Sequence, residues 1–140
     1  MNPKFFTVEE ANRLIGQLES TFDRIRRNKQ HYLWLRGEIE ILRLIVDCGA
    51  DQNNPDAIEA ETKRKKLKHI SVEIERDIAS INETGCILRD VDQGIVDFYS
   101  IQNNSVVFLC WKKGEDSILF WHGTDEGFKN RQPLTRSSSK

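Results

Sequence analysis

The chain has 140 residues, of which 38% are hydrophobic and 31% charged, with a formal net charge of -1. That length suits one domain with a modest core and a large wetted surface, here expected over residues 1–134. The near-zero charge excludes a global field that draws nucleic acid or anionic membrane, and no apolar run approaches the ~20 residues needed to span a bilayer.

The N-terminus lacks a basic start followed by an apolar stretch, so no secretory signal is expected. Thr7 with Glu10 forms a capping box for a first helix, and Glu9 and Glu10 suit the positive end of its dipole. Ala11, Leu14, Ile15, Leu18, Phe22 and Ile25 recur in steps of three and four, which lines one helical face. The stripe fades after Ile25 and returns at Tyr32, Leu35, Ile39, Leu42 and Val46. Gly49 is suited to the residue just past the helix end. A helix over 8–48 would be about 60 Å long. A loop near 49–54 follows, closing on Asn54 as a cap with Pro55 at the first helical position. The second helix is predicted over 55–83, with the stripe Leu67, Ile70, Ile74, Ile78 and Ile81, and Gly85 ends it. Two long helices joined by a short loop predict an antiparallel hairpin over 7–84.

Leu33, Trp34, Ile41, Leu44 and Ile45 lie off the main stripe of the first helix. This surplus apolar surface needs cover, from the C-terminal segment and from a second copy, so a homodimer through the hairpin is expected. Lys63-Arg64-Lys65-Lys66-Leu67-Lys68 is flanked by acids at helical ion-pair spacing, which reads as a solvated face rather than a nucleic-acid contact.

After Gly85 the period shortens. Strands are predicted over 86–89, 95–99, 106–112 and 117–122, with turns at Asp92-Gln93-Gly94, Asn103-Asn104 and 113–116. The expectation for 85–134 is an antiparallel meander of three or four strands, with an irregular closing stretch from Trp121 to Leu134. The tail, residues 135–140, is expected to be disordered. The fold class is therefore α+β: a long helical hairpin, a small β-meander and an irregular C-terminal loop. Cys48, Cys86 and Cys110 are an odd, widely spaced set in apolar settings, and read as reduced core thiols of a cytoplasmic protein. No zinc-type spacing of Cys or His occurs.

The segments Phe6-Thr7-Val8-Glu9-Glu10-Ala11-Asn12, Gly94-Ile95-Val96-Asp97-Phe98, Leu109-Cys110-Trp111, Trp121-His122, Gly127-Phe128 and Arg131-Gln132-Pro133-Leu134 form a recognisable set. With them the chain resembles the domain-of-unknown-function family 2203, small prokaryotic proteins. The resemblance implies no activity, and Glu126 departs from its pattern.

The polar residues of the C-terminal region are the candidates for binding: His122, Asp125, Arg131, Asp97 and Glu115. Alternation places Ile118, Phe120 and His122 on one strand face. His122 can exchange a proton near neutral pH, with Asp97 or Asp125 orienting its ring, and Arg131 can grip a carboxylate or phosphate. The same groups equally serve as tethers for an irregular loop, with Arg131 on Asp97 or Asp125 and His122 on backbone carbonyls. One His with carboxylates would suit manganese or iron, but with His31 and His69 on the helices no metal site is expected. Cys110, inside an apolar strand, is a poor nucleophile. No catalytic residue, reaction or cofactor is identifiable. The leading functional reading is an oligomeric interaction or scaffold protein. The alternative is a small-molecule or metal-binding protein, conceivably an enzyme, with its site around His122, Asp125, Arg131 and Asp97.

Overall fold

The computed structural model describes residues 3–49 and 54–135. Loop residues 50–53 and the tail over 136–140 lie outside the described residues. The helices are α1 (Val8–Asn12), α2 (Ile15–Asp47) and α3 (Pro55–Glu83). The strands are β1 (Ile87–Asp90), β2 (Ile95–Gln102), β3 (Ser105–Lys112), β4 (Phe120–Gly123) and β5 (Gln132–Pro133), with a 3₁₀ turn at Phe128–Asn130 before β5. The architecture is α+β, long helices followed by a five-stranded antiparallel meander in chain order. The chain gathers into two compact units: residues 3–23 with 79–135, and Arg24–Ile78.

Helix entry follows the local chemistry. Thr7 Oγ1 accepts from the Glu10 N–H at 3.1 Å, and Glu10 returns a carboxylate to the Thr7 N–H at 2.9 Å. These bonds hold the Glu10 carboxyl below its ordinary value. Asn54 Oδ1 caps α3 through the Asp56 N–H at 2.8 Å, and Gly49 takes φ +116° just past α2. The single helix expected over 8–48 is instead interrupted at Arg13 and Leu14. There the Leu14 N–H bonds to the Ala11 carbonyl, three residues back, at 3.0 Å. Beside the break Asn12 Oδ1 accepts the Ile118 N–H at 2.7 Å, a tertiary bond that helical periodicity does not reveal.

In the unit Arg24–Ile78 the two helices run antiparallel. Arg24 meets Asp77 at 3.1 Å, Asn28 meets Glu73 at 3.4 Å and Lys63 meets Glu38 at 3.7 Å, each step forward on α2 matching a step back on α3. Ile25, Leu35, Leu42, Ala60 and Ile70 are buried between them. Lys63 also reaches Glu59, and Arg64 reaches Glu61, so the basic run is partly neutralised by its own helix. Leu33, Trp34, Ile41, Leu44 and Ile45 are exposed, and Lys63 of α3 lies over one face of the Trp34 ring at 5.0 Å. Cys48 is exposed too, against the expectation of a core thiol, because it lies in the turn just past α2, next to this exposed side; Cys86 and Cys110 are buried. Among the described residues no helix is long and apolar enough to cross a membrane.

The other unit is built on the sheet. One sheet face carries Val96, Phe98, Leu109 and Trp111, all fully buried. Phe6 packs edge-on to Phe98 at 5.0 Å, and Phe22 stacks on Trp111 at 6.2 Å. The N-terminal segment runs beside β2: the Phe6 N–H bonds to the Tyr99 carbonyl at 2.7 Å and Ser100 Oγ donates to the Phe6 carbonyl at 2.6 Å. Asn103 and Asn104, at φ 51° and 65°, make the tight β2–β3 turn, a left-handed pair that asparagine tolerates and strand twist favours. Gly94 turns β1 into β2 at φ +73°, where a Cβ would sit 2.7 Å from that of Lys113. β4 starts at Phe120 rather than 117, since the Ile118 N–H is spent on Asn12. The closing stretch holds a fifth strand, joined to β4 by the pairs Phe120↔Pro133 and Trp121↔Gln132.

Candidate functional site

The second sheet face is polar at its centre. Strand register sets Asp97 opposite Cys110 on one side, and Cys110 opposite Phe120 on the other. His122 pairs with Phe108 and so lies diagonal to Cys110 on the same face. Such neighbours are within side-chain reach. Asp97, Cys110 and His122 are all buried, the least covered of them only 2% exposed.

Asp97 is the hub. Its Oδ2 accepts from Arg89 Nε at 2.8 Å, and its Oδ1 lies 3.1 Å from His122 Nε2. Arg89 sits at the β1 irregularity between Leu88 and Asp90, and its guanidinium also covers the Phe108 ring at 5.0 Å. His122 Nδ1 faces the Gly123 carbonyl at 2.9 Å. Both ring nitrogens therefore meet acceptors, which a ring carrying a proton on each nitrogen satisfies. The ligand atoms of Asp97, Cys110 and His122 lie within 4.8 Å of one another.

Burial pushes the Cys110 thiol up from 9.0 to about 12, and the charge of Asp97 pushes the same way against the pull of Arg131. A proton held more tightly folded than unfolded adds stability that is fully present below pH 9 and is lost as pH rises toward about 12. In the metal-free protein the unfolding free-energy difference between wild type and Cys110→Ala should be constant below that range and fall within it. Urea titrations across pH measure this, and a pH-independent difference would mean the thiol ionises as freely folded as unfolded.

Arg131 does not join Asp97 or Asp125. It binds Glu115 through both carboxylate oxygens at 3.0 and 2.9 Å, and its guanidinium lies 4.1 Å from the ring centroids of both Phe120 and Phe128. Glu115 in turn accepts the Lys112 N–H at 2.9 Å and gives its carbonyl to the Trp111 indole at 2.9 Å. The closing stretch is thus tied to the β3–β4 turn. Asp125 stays exposed near Gly123, whose N–H is taken by Glu126 Oε1 at 3.0 Å. A cleft of about 540 Å³, lined by Arg89, Asp97, Asp125, Glu126 and Phe128 among others, reaches from this turn to Asp97.

The structure thus brings His122 and Asp97 together, sets Glu115 with Arg131 in a second cluster, and leaves Asp125 at the cleft rim. Sequence reasoning passed over Arg89 and did not place Cys110 with the polar group. For Cys110 the available signal was its place on the strand that follows the one Asp97 interrupts. Arg89 had none, since its place depends on the β1 irregularity.

The family model described as an uncharacterised conserved protein, DUF2203, matches residues 4–134. No curated protein and no solved structure matches the chain.

Proposed function

We propose that this protein, which belongs to the DUF2203 family, is an interaction protein that works as a homodimer through the uncovered side of α2. The observation that carries this reading is the seam Trp34, Gly37, Ile41, Leu44 and Cys48, spaced by alternating steps of three and four and exposed throughout. Leu33 and Ile45 widen it. That spacing is the knobs-into-holes repeat by which one helix takes a second, and a contiguous apolar stripe of this kind marks a contact surface. The buried stripe of Leu35 and Leu42 is separate from it, and the intrachain helix pair meets the seam at Trp34, where Lys63 lies over the ring.

Light scattering of the full chain at micromolar concentration should give the mass of a dimer. Ile41→Glu with Leu44→Glu places charge in the seam without touching the buried stripe. It should yield a folded monomer with unchanged helix content by circular dichroism. A wild-type monomer at that concentration defeats the proposal.

A further inference from the structure

The buried group at Asp97 can be completed in two ways, by a His122 protonated on both ring nitrogens or by a cation on a neutral one. A neutral His122 ring donates Nδ1–H to the Gly123 carbonyl. Its Nε2 lone pair then points at a carboxylate oxygen 3.1 Å away, and both residues are buried. Two lone pairs facing each other there require a positive species between them, either a proton or a metal ion.

The geometry points to a binding site for a zinc-type divalent ion formed by Asp97 Oδ1, Cys110 Sγ and His122 Nε2. A nitrogen and an oxygen 3.1 Å apart are spanned by two bonds of about 2.1 Å to one ion. The sulfur lies within the same 4.8 Å set. Thiolate, imidazole and carboxylate together select zinc or cobalt(II) over magnesium or calcium, which prefer oxygen alone. This donor set takes Cys110 in place of Asp125 and Glu115, which stand elsewhere.

Two ligands already have the outer partners that such a centre uses. Arg89 fixes the far oxygen of Asp97, and the Gly123 carbonyl fixes the His122 tautomer. Metal-bound histidines and carboxylates are oriented in this way. Charge balances as well: the ion displaces the Cys110 thiol proton and the proton between His122 and Asp97, so about two protons leave for each divalent ion. The buried charge is then the same with and without the ion. Three protein ligands leave one position free, the pattern of open rather than closed zinc sites. Of the three ligands, Asp97 lines the cleft beside the site.

The test uses the full chain carrying Cys48→Ser, which removes the exposed thiol. Cobalt(II) titration should give about one equivalent of a site with thiolate charge-transfer and tetrahedral d–d bands. Zinc should displace the cobalt and raise the thermal midpoint, and magnesium should do neither. Adding Cys110→Ala to a chain still folded by circular dichroism should abolish the charge-transfer band. Should that variant not fold, Cys110→Ser, closer to cysteine in shape, must lose the same band. Failure of the Cys48→Ser protein to take up either ion, or a band that survives loss of Cys110, overturns the proposal. Neither outcome bears on the dimer, which is read by mass.

Discussion

Asp97→Ala is expected to lower the unfolding free energy by about 3–5 kcal/mol, the range for removing one partner of a buried ion pair. The carboxylate is 2% exposed and serves Arg89 at 2.8 Å and His122 at 3.1 Å. Without it the His122 ring faces an empty site, and the ring is itself too deep to recover the bond from water. Arg89 loses less, because its side chain is 45% exposed and can turn to solvent. The lower end of the range is therefore the better expectation. Asp97→Asn keeps one acceptor oxygen and should cost less, on the order of 1–3 kcal/mol. Denaturant melts of both variants in the presence of chelator, with m-values compared, make the measurement. An alanine variant within about 0.5 kcal/mol of wild type would show that the network adds nothing to stability.

Trp111→Ala should produce a loss of similar size, about 3–5 kcal/mol, by a different route. Trp111 is fully buried, stacks on Phe22 at 6.2 Å and donates its indole N–H to the Glu115 carbonyl at 2.9 Å. Truncation leaves a cavity between sheet and helix and frees the carbonyl that anchors the β3–β4 turn. Since Glu115 also grips Arg131, the closing stretch should loosen as well. Trp111→Phe retains most of the volume and should recover more than half of the loss. Hydrogen exchange offers the sharper readout: the Lys112 amide, bonded to Glu115 Oε1, should exchange faster in the alanine variant. Equal protection in both proteins would separate the indole from the turn and remove this explanation.

These two residues also mark how far the sequence could be read. Trp111 lies in the apolar stretch over 106–112, where strand and core follow from composition and alternation alone. Asp97 was visible as a polar interruption, and His122 as a residue on the last predicted strand. That they meet was one of two options, with Asp125 equally available. Alternation fixes the face on which a side chain stands but not the residue across from it. The partner depends on register between strands distant in sequence, and Asp97 met Cys110 and His122 only when β2, β3 and β4 were paired. Arg131 shows the same gap. Spacing offers it Asp97 or Asp125 as a tether, or an anion as a ligand, and in the fold it meets Glu115, selected by a turn whose shape the spacing does not specify.

The sequence by itself determined the helix caps at Thr7 and Asn54, the antiparallel hairpin, the surplus apolar surface of α2, the tight Asn103-Asn104 turn and the order of the meander. Each follows from interactions within a few residues, where backbone geometry and side-chain spacing are nearly the whole physics. The tertiary structure alone decided the break after Asn12, the exposure of Cys48, the fifth strand and the joining of Asp97, Cys110, His122 and Arg89. Those depend on which distant groups compete for the same hydrogen bond or the same buried space, and only the folded chain settles that competition.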